Sequence, residues 1–475
     1  MLDVVDPVGY RPAVPRFLGL AGSIALTVAS RAPRPVAIPL WLAGILALSG
    51  AFLAVSARLA RRDGPSARWL LTTGLLWGLP LLASAPLGSR DAYAYACQGQ
   101  LVDHGLDPYR VGVAALPCTW LGSVPTLWWH TPVPYGPLWL VLSGGAASGS
   151  GGHLWLAVGW LRLVAVAGVA LLGWAGRGLA RALGVDPLQA GWLALASPLV
   201  LVHAVSGAHN DALLAGLVLA ALAVAARPVP AARWALAAGG LLGLAVAVKV
   251  TALVAAPFVV LLVARDRRWG PVLRTAALTG VGLVAGFAAV AVPSGYGLGF
   301  LPALSGTSRL IQWTSLPTGV GMTAGYLARA AGRPGLAGTA LDVARVAGLV
   351  VLAGLLVGVW WWARQRADRP QSTVLAAGLA LAATTVLAPV AFGWYALTVI
   401  AVLAYGVHNG RTRYRLGLAA AAVTLLTLPD GTGIAALTKL PGALLDTVLA
   451  AALIWAAARW AVAWRARAGP RSPAS

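Results

Sequence analysis

Asp91 opens the run Asp91-Ala92-Tyr93-Ala94-Tyr95, directly behind Arg90. A carboxylate beside aromatic rings can take the proton of a hydroxyl group whose oxygen then attacks an electrophilic carbon. An aspartate at the head of a helix is equally suited to cap it, and one residue can do both. Carboxylates are scarce in this chain. All 13 acidic residues are Asp, with no Glu anywhere, so any acid–base chemistry draws on a short set.

Other positions place polar groups inside apolar runs, where they are costly unless they face a partner or a cavity. Arg162 lies in the middle of one run, and His203 near the end of another, followed by Gly207-Ala208-His209-Asn210-Asp211. Lys249 interrupts a third, close to Thr251. Cations so placed suit a phosphate; the alternative is a structural ion pair, such as Arg162 with Asp211. Asp211 can also cap the helix expected at 212–226. Arg309, in the stretch from Ser308 to Thr318, can clamp a phosphate or anchor an interface. The runs His104-Gly105-Leu106-Asp107-Pro108-Tyr109 and Thr131-Pro132-Val133-Pro134-Tyr135-Gly136-Pro137 are turn formers that can also raise an aromatic wall. The His209-Asn210-Asp211 triplet lacks a second cluster of metal ligands, so a divalent metal has no support and no cofactor is expected. Cys97 and Cys118 permit a disulfide in an oxidising compartment, or Cys97 is simply packed.

Long apolar runs must position these groups. Of 475 residues, 59% are hydrophobic and 10% charged, against about 25% charged in soluble domains. That excludes an ordinary soluble enzyme and makes this an all-α integral membrane protein. Runs long enough to span, about 20 residues, fall near 14–30, 36–57, 69–87, 153–175, 187–205, 211–226, 271–292, 338–363, 371–390, 395–408, 416–429 and 443–463. Stretch 234–264 is too long for one span, and Lys249 breaks it into two short helices. The total is about 12–14 spans in one polytopic domain, 1–475. The net charge of +22 sits in small Arg clusters between the runs. That is the mark of cytoplasmic loops rather than of a nucleic-acid face. The clusters leave 88–152 and 293–337 as extracytoplasmic loops and 465–475 as a cytoplasmic tail; Arg31 and Arg34 run against this scheme. Piece 137–148 is too short to span and reads as an interfacial or re-entrant helix. Met1 to Pro15 lacks the features of a cleavable signal peptide.

In their order, Arg90-Asp91-Ala92-Tyr93-Ala94-Tyr95, His104 to Tyr109, Thr131 to Pro137, Leu161-Arg162-Leu163, Gly207 to Asp211, Lys249-Val250-Thr251-Ala252-Leu253 and Ser315-Leu316-Pro317-Thr318-Gly319 resemble one group. It is the polyprenol-phosphate-mannose-dependent α-1,6-mannosyltransferases, the MptA/MptB group of the GT-C glycosyltransferases. The resemblance covers roughly residues 70–400. It implies a GT-C helix bundle in the cytoplasmic membrane with its active site on the extracytoplasmic side. The implied reaction is inverting transfer of mannose from a polyprenyl-phosphate-mannose donor to a mannan or glycolipid acceptor. Asp91 maps onto the family's acidic residue in the first large loop and would be the base. Arg162, His209, Lys249 and Arg309 are candidates for stabilising the leaving phosphate. Arg90, Tyr93, Asp107, Tyr109, Tyr135, Asn210 and Asp211 are further substrate-binding candidates. The alternatives are the same chemistry with arabinose or glucose, or a flippase for the same lipid; a transporter is expected to carry an internal repeat, and none stands out. There is no Asp-Glu pair like that of protein mannosyltransferases, and no soluble outer domain follows the last run, which argues against a metal-dependent oligosaccharyl transferase. Asp342, Asp430 and Asp446 lie outside these motifs and read as caps or solvated loop residues.

Overall fold

The computed structural model describes residues 13–467 other than Pro117, Pro230 and Ser308, so Asp3, Asp6, Ser308 and tail residues 468–475 lie outside the described residues. The chain opens with α1 (Ala13–Ala29), α2 (Arg34–Arg61) and α3 (Ala67–Leu82). The expected first loop carries α4 (Asp91–Asp103) and α5 (Pro137–Ser148), the latter where a non-spanning helix was expected. Then come α6 (Leu154–Leu183), α7 (Pro187–Ala196), α8 (Asp211–Ala225), α9 (Ala232–Val246), α10 (Ala256–Ala264), α11 (Trp269–Ser294) and α12 (Phe300–Thr307). The remainder is α13 (Leu316–Ala330), α14 (Leu336–Arg364), α15 (Pro370–Leu387), α16 (Ala396–Gly406), α17 (Gly410–Thr424), α18 (Ile434–Leu437) and α19 (Lys439–Arg467).

Among the described residues, six helices are long and apolar enough to cross a membrane: α2, α6, α11, α14, α15 and the Lys439–Arg459 part of α19. A seventh is α7 with the π-turn Val200–Ser206, if this pair, bent by 56°, is one span. The larger count expected from apolar runs requires the shorter apolar helices, such as α1, α8 and α9, to cross as well. An apolar run does not reveal where the helix inside it breaks.

The described residues group into two compact units. The first comprises Met1–Arg309, Leu355–Ala383 and Phe392–Ile434. Here α1 packs along α2, α4 on α5, α6 along α8 and α9 along α11. The α9–α11 contact is set by Gly239 and Gly243 against Gly282 and Gly286, where any Cβ would collide with a backbone carbonyl of the facing helix. Small residues let spans approach closely where the lipid gives no hydrophobic drive for association.

The second unit comprises Leu310–Gly354, Thr384–Ala391 and Ala435–Ser475, with α13 packed on α19. It corrects the reading of Asp446 as a cap or loop residue. Asp446 is buried within α19, its carboxylate lying where a Cβ of Gly319 would be. Arg345 is buried in α14 and donates to Thr318 Oγ1 at 3.0 Å and to the Leu310 carbonyl.

Two breaks in the first unit prepare the site. Pro198 follows α7; the chain continues as the π-turn, then takes a left-handed step at Ala208 (φ 53°) before α8 begins at Asp211. A second break follows α9, where Lys249 is extended (φ −156°, ψ 130°) ahead of the 3-10 turn Val250–Ala255, as the sequence predicted. The carbonyls freed at this break find partners in the first turn of α5. Gly136 N–H donates to Val248 O at 3.0 Å, and Leu138 N–H to Ala247 O at 2.8 Å. Each end supplies what the other lacks, orphan donors of a helix N-terminus against carbonyls of a broken helix. Position 136 must be glycine because a Cβ would strike the Ala247 carbonyl.

Candidate active site

Asp91 is the first residue of α4 and is buried. It does not cap its helix. Ser89 Oγ accepts the Asp91 N–H at 3.0 Å, which leaves the carboxylate free for other contacts. One of those is Trp128, whose indole Nε1–H donates to Asp91 Oδ1 at 3.1 Å. Asp91 Oδ2 lies 4.0 Å from His209 Nε2. Burial raises the Asp91 carboxyl from 3.8 to about 6, opposed by the Trp128 bond and by the charge of Lys249, and reinforced by the charge of Asp211. A carboxylate so tuned is ionised at neutral pH yet more basic than an exposed one.

His209 is held on both ring nitrogens. Nδ1 is 2.7 Å from the His203 carbonyl, which can only accept, so Nδ1 carries a hydrogen. Nε2 lies 2.9 Å from Ser89 Oγ. The ring stacks on Trp394, with centroids 4.4 Å apart. Gly88 takes a left-handed φ of 83° directly beside the His203 ring, where a Cβ would collide with the imidazole. That close approach brings the 88–91 turn to the π-turn.

Lys249 Nζ donates to both oxygens of Asp211, at 2.9 and 3.1 Å, and lies 3.8 Å from the centre of the Tyr395 ring. The helix-capping alternative for Asp211 gives way to this buried pair. The proposed Arg162–Asp211 pair does not form either. Arg162 is buried and donates to three backbone carbonyls: Leu82 at 2.8 Å, Ser84 at 2.7 Å and Ser206 at 2.9 Å from two nitrogens. It joins the end of α3, the π-turn and α6. Four of its five N–H hydrogens are engaged there, so its visible role is to fasten these elements together. Asn210 is buried beside these groups in sequence, with neither amide atom hydrogen-bonded.

The aromatic wall exists. Tyr95 meets Tyr135 and Trp139 edge-on, with centroids 5.5 and 5.0 Å away. Burial pushes both tyrosine hydroxyls well above their usual range, so neither serves as a base at neutral pH. Tyr135, Trp128 and Pro132 close over Asp91 and leave only about 10 Å³ of space there. A disulfide joins Cys97 to Cys118 and ties α4 to the loop that leads to Trp128.

The remaining expected residues lie further out. Asp107 accepts the Tyr109 N–H at 2.9 Å and pairs with Arg110 at 3.3 Å, so it fixes a turn. Tyr109 packs edge-on against Tyr296. Arg90 is half-buried, 5.7 Å from the Tyr93 ring centre, and Arg309 is exposed. Trp128, Ser89, Trp394 and Tyr395 were missed from the sequence. An aromatic pair at the head of an apolar run, Trp394-Tyr395, was the available signal for two of them. Among the described residues no group of three or more His, Cys, Asp or Glu is placed to hold a metal ion.

Residues 8–265 match a family described as alpha-(1->6)-mannopyranosyltransferase, N-terminal domain, and residues 317–460 match the MptB C-terminal domain. The chain is 36% identical to alpha-(1->6)-mannopyranosyltransferase A of Mycobacterium tuberculosis, over 76% of this chain and 69% of that protein. It is 34% identical to a probable alpha-(1->6)-mannopyranosyltransferase of Mycolicibacterium smegmatis, over 70% and 64%. Identity to alpha-(1->6)-mannopyranosyltransferase A of Corynebacterium glutamicum is 29%, over 77% of each chain. No solved structure matches.

Proposed function

The chain belongs to the alpha-(1->6)-mannopyranosyltransferase family, and from that premise we propose that it transfers mannose from a polyprenyl-phosphate-mannose donor to a mannan or glycolipid acceptor on the extracytoplasmic face of the membrane, with inversion. Asp91 takes the proton of the acceptor hydroxyl as that oxygen bonds to C1 of mannose. The bond from C1 to the phosphate oxygen breaks, its electrons leave with the polyprenyl phosphate, and the proton stays on Asp91. A phosphate is a good leaving group and needs charge stabilisation more than a proton.

The observation that carries this reading is the burial and tuning of Asp91, raised to about 6 and held by Trp128. Lys249 is not assigned to the phosphate, because Asp211 already neutralises it. It acts instead on Asp91, whose ionised form it favours. Arg309, which is exposed, is the cation assigned to the phosphate, and Arg90 stays a further substrate-binding residue. The crevice of about 10 Å³ beside Asp91 is no larger than one water site, so sugar binding requires the 128–135 segment to move aside.

Transfer of labelled mannose by the purified protein tests the reading. Asp91→Asn is expected to lower the rate by about 10²–10⁴-fold without loss of folded protein. Undiminished transfer removes Asp91 from the mechanism.

A further inference from the structure

α3 and α6 both pack on α7 and the π-turn, and between them lies an apolar groove of about 860 Å³. Leu71, Leu75 and Leu79 of α3 form one wall, Gly173 and Trp174 of α6 the other, and Gly191 of α7 part of the floor. The three leucines and Trp174 are each more than half exposed, so the groove opens sideways. From Ala67 to Leu82 it runs about 22 Å at roughly 1.5 Å per residue, much of the roughly 30 Å hydrocarbon thickness of a bilayer.

The two ends differ. At one end, beyond Leu82 and Val166, Arg162 bonds the carbonyls of Leu82, Ser84 and Ser206 and ties the walls to the floor. Among the described residues, no charged side chain lines the groove at that end. At the other end is Arg177, the one charged side chain among the described residues lining the groove. Arg177 is exposed and has no carboxylate within salt-bridge distance among the described residues, and Arg181 follows one turn later on the same helix. These two arginines form one of the clusters that the charge bias assigns to the cytoplasmic side.

We propose that the groove between α3 and α6 binds an acidic phospholipid of the inner leaflet, its acyl chain along the leucine wall and its phosphate on Arg177. A zwitterionic lipid fills the same volume but brings no net charge to two unneutralised arginines. A lipid lying the other way round would set its phosphate among the apolar lining residues Leu82, Val166 and Val205. The inference uses the charge-bias orientation to name the leaflet and is independent of the transferase reading.

The test is native mass spectrometry of the full chain released from nanodiscs of equimolar phosphatidylglycerol and phosphatidylcholine with identical acyl chains. The expected result is one retained lipid, with phosphatidylglycerol favoured by about fivefold, the scale of one arginine near an anionic surface. Arg177→Gln should bring the ratio near one. Gly191→Leu should reduce retention of both lipids, since a Cβ there meets no atom within 4 Å and the added side chain fills the groove. Both variants are first checked for unchanged thermal unfolding in detergent, and Gly78→Leu, where a Cβ makes ordinary contact at 3.9 Å, is the second filling variant. Equal retention of the two lipids by the unaltered chain overturns the proposal, as does a preference that survives Arg177→Gln. Displacement of the phosphatidylglycerol by an added C55 polyprenyl phosphate, abolished by Gly191→Leu, assigns the groove to an isoprenoid instead and also overturns it.

Discussion

Arg162 and Lys249 are both buried cations of the first unit, and they are satisfied in opposite ways. Arg162 spreads its hydrogens over the carbonyls of Leu82, Ser84 and Ser206, all neutral groups left over where helices end or bend. Lys249 gives its hydrogens to one carboxylate, Asp211, and rests against the Tyr395 ring. A planar guanidinium with five donors suits scattered carbonyls, and a compact ammonium suits a single anion. The first arrangement fastens three elements together. The second fixes the charge balance around Asp91, because Lys249 and Asp211 both act on its carboxyl, in opposite directions.

The sharpest way to break this contrast is to remove one charge of the Lys249 pair. Lys249→Met leaves Asp211 buried and unpaired, and should cost about 3–5 kcal/mol of stability, read as a lower unfolding temperature in detergent. Lys249→Met combined with Asp211→Leu should recover most of that loss, since two apolar groups need no partner. A single variant as stable as the unaltered chain would mean that the pair is not buried. Arg162→Lys tests the other side of the contrast with a smaller effect. It keeps the charge and three hydrogens but loses the fork, so about one carbonyl goes unpaired, at about 1–3 kcal/mol. The pH dependence of transfer should stay where it was. A shift of the acid limb in Arg162→Lys would place that cation in the electrostatics of Asp91 after all.

Much of this was legible locally and little of it across the chain. The apolar runs located the helices, and Lys249 marked the break after α9, because a charged residue inside a run is a local signal. The pairing of Lys249 with Asp211 spans 38 residues, and that of Asp91 with Trp128 spans 37. Nothing in hydropathy reports which loop folds over which helix end. The Arg162–Asp211 alternative failed because the partners of Arg162 are backbone carbonyls, which carry no sequence identity. Asp446 was misjudged because its burial depends on the absent side chain of Gly319, on a different helix. The family resemblance singled out Asp91, whereas the role of Ser89, which accepts the Asp91 N–H, came from geometry alone.

The smallest expected effect is the most discriminating for Asp91. Burial raises its carboxyl from 3.8 to about 6, so transfer should fall about tenfold per pH unit below that value as the base protonates. Stability should respond in the opposite direction. A raised carboxyl favours the protonated folded state, so its contribution is full below about 3.8 and is lost as pH rises through about 6. The Trp128 bond favours the ionised form. Trp128→Phe keeps an aromatic ring over the crevice but removes that donor, so the Asp91 carboxyl should rise further and the acid limb should move to higher pH. At pH 8, where Asp91 stays ionised, the rate should drop by less than about tenfold, under roughly 1.4 kcal/mol. A merely structural tryptophan would lower the rate at every pH and leave the limb in place. The position of that limb therefore separates a residue that tunes the base from one that only fills the loop.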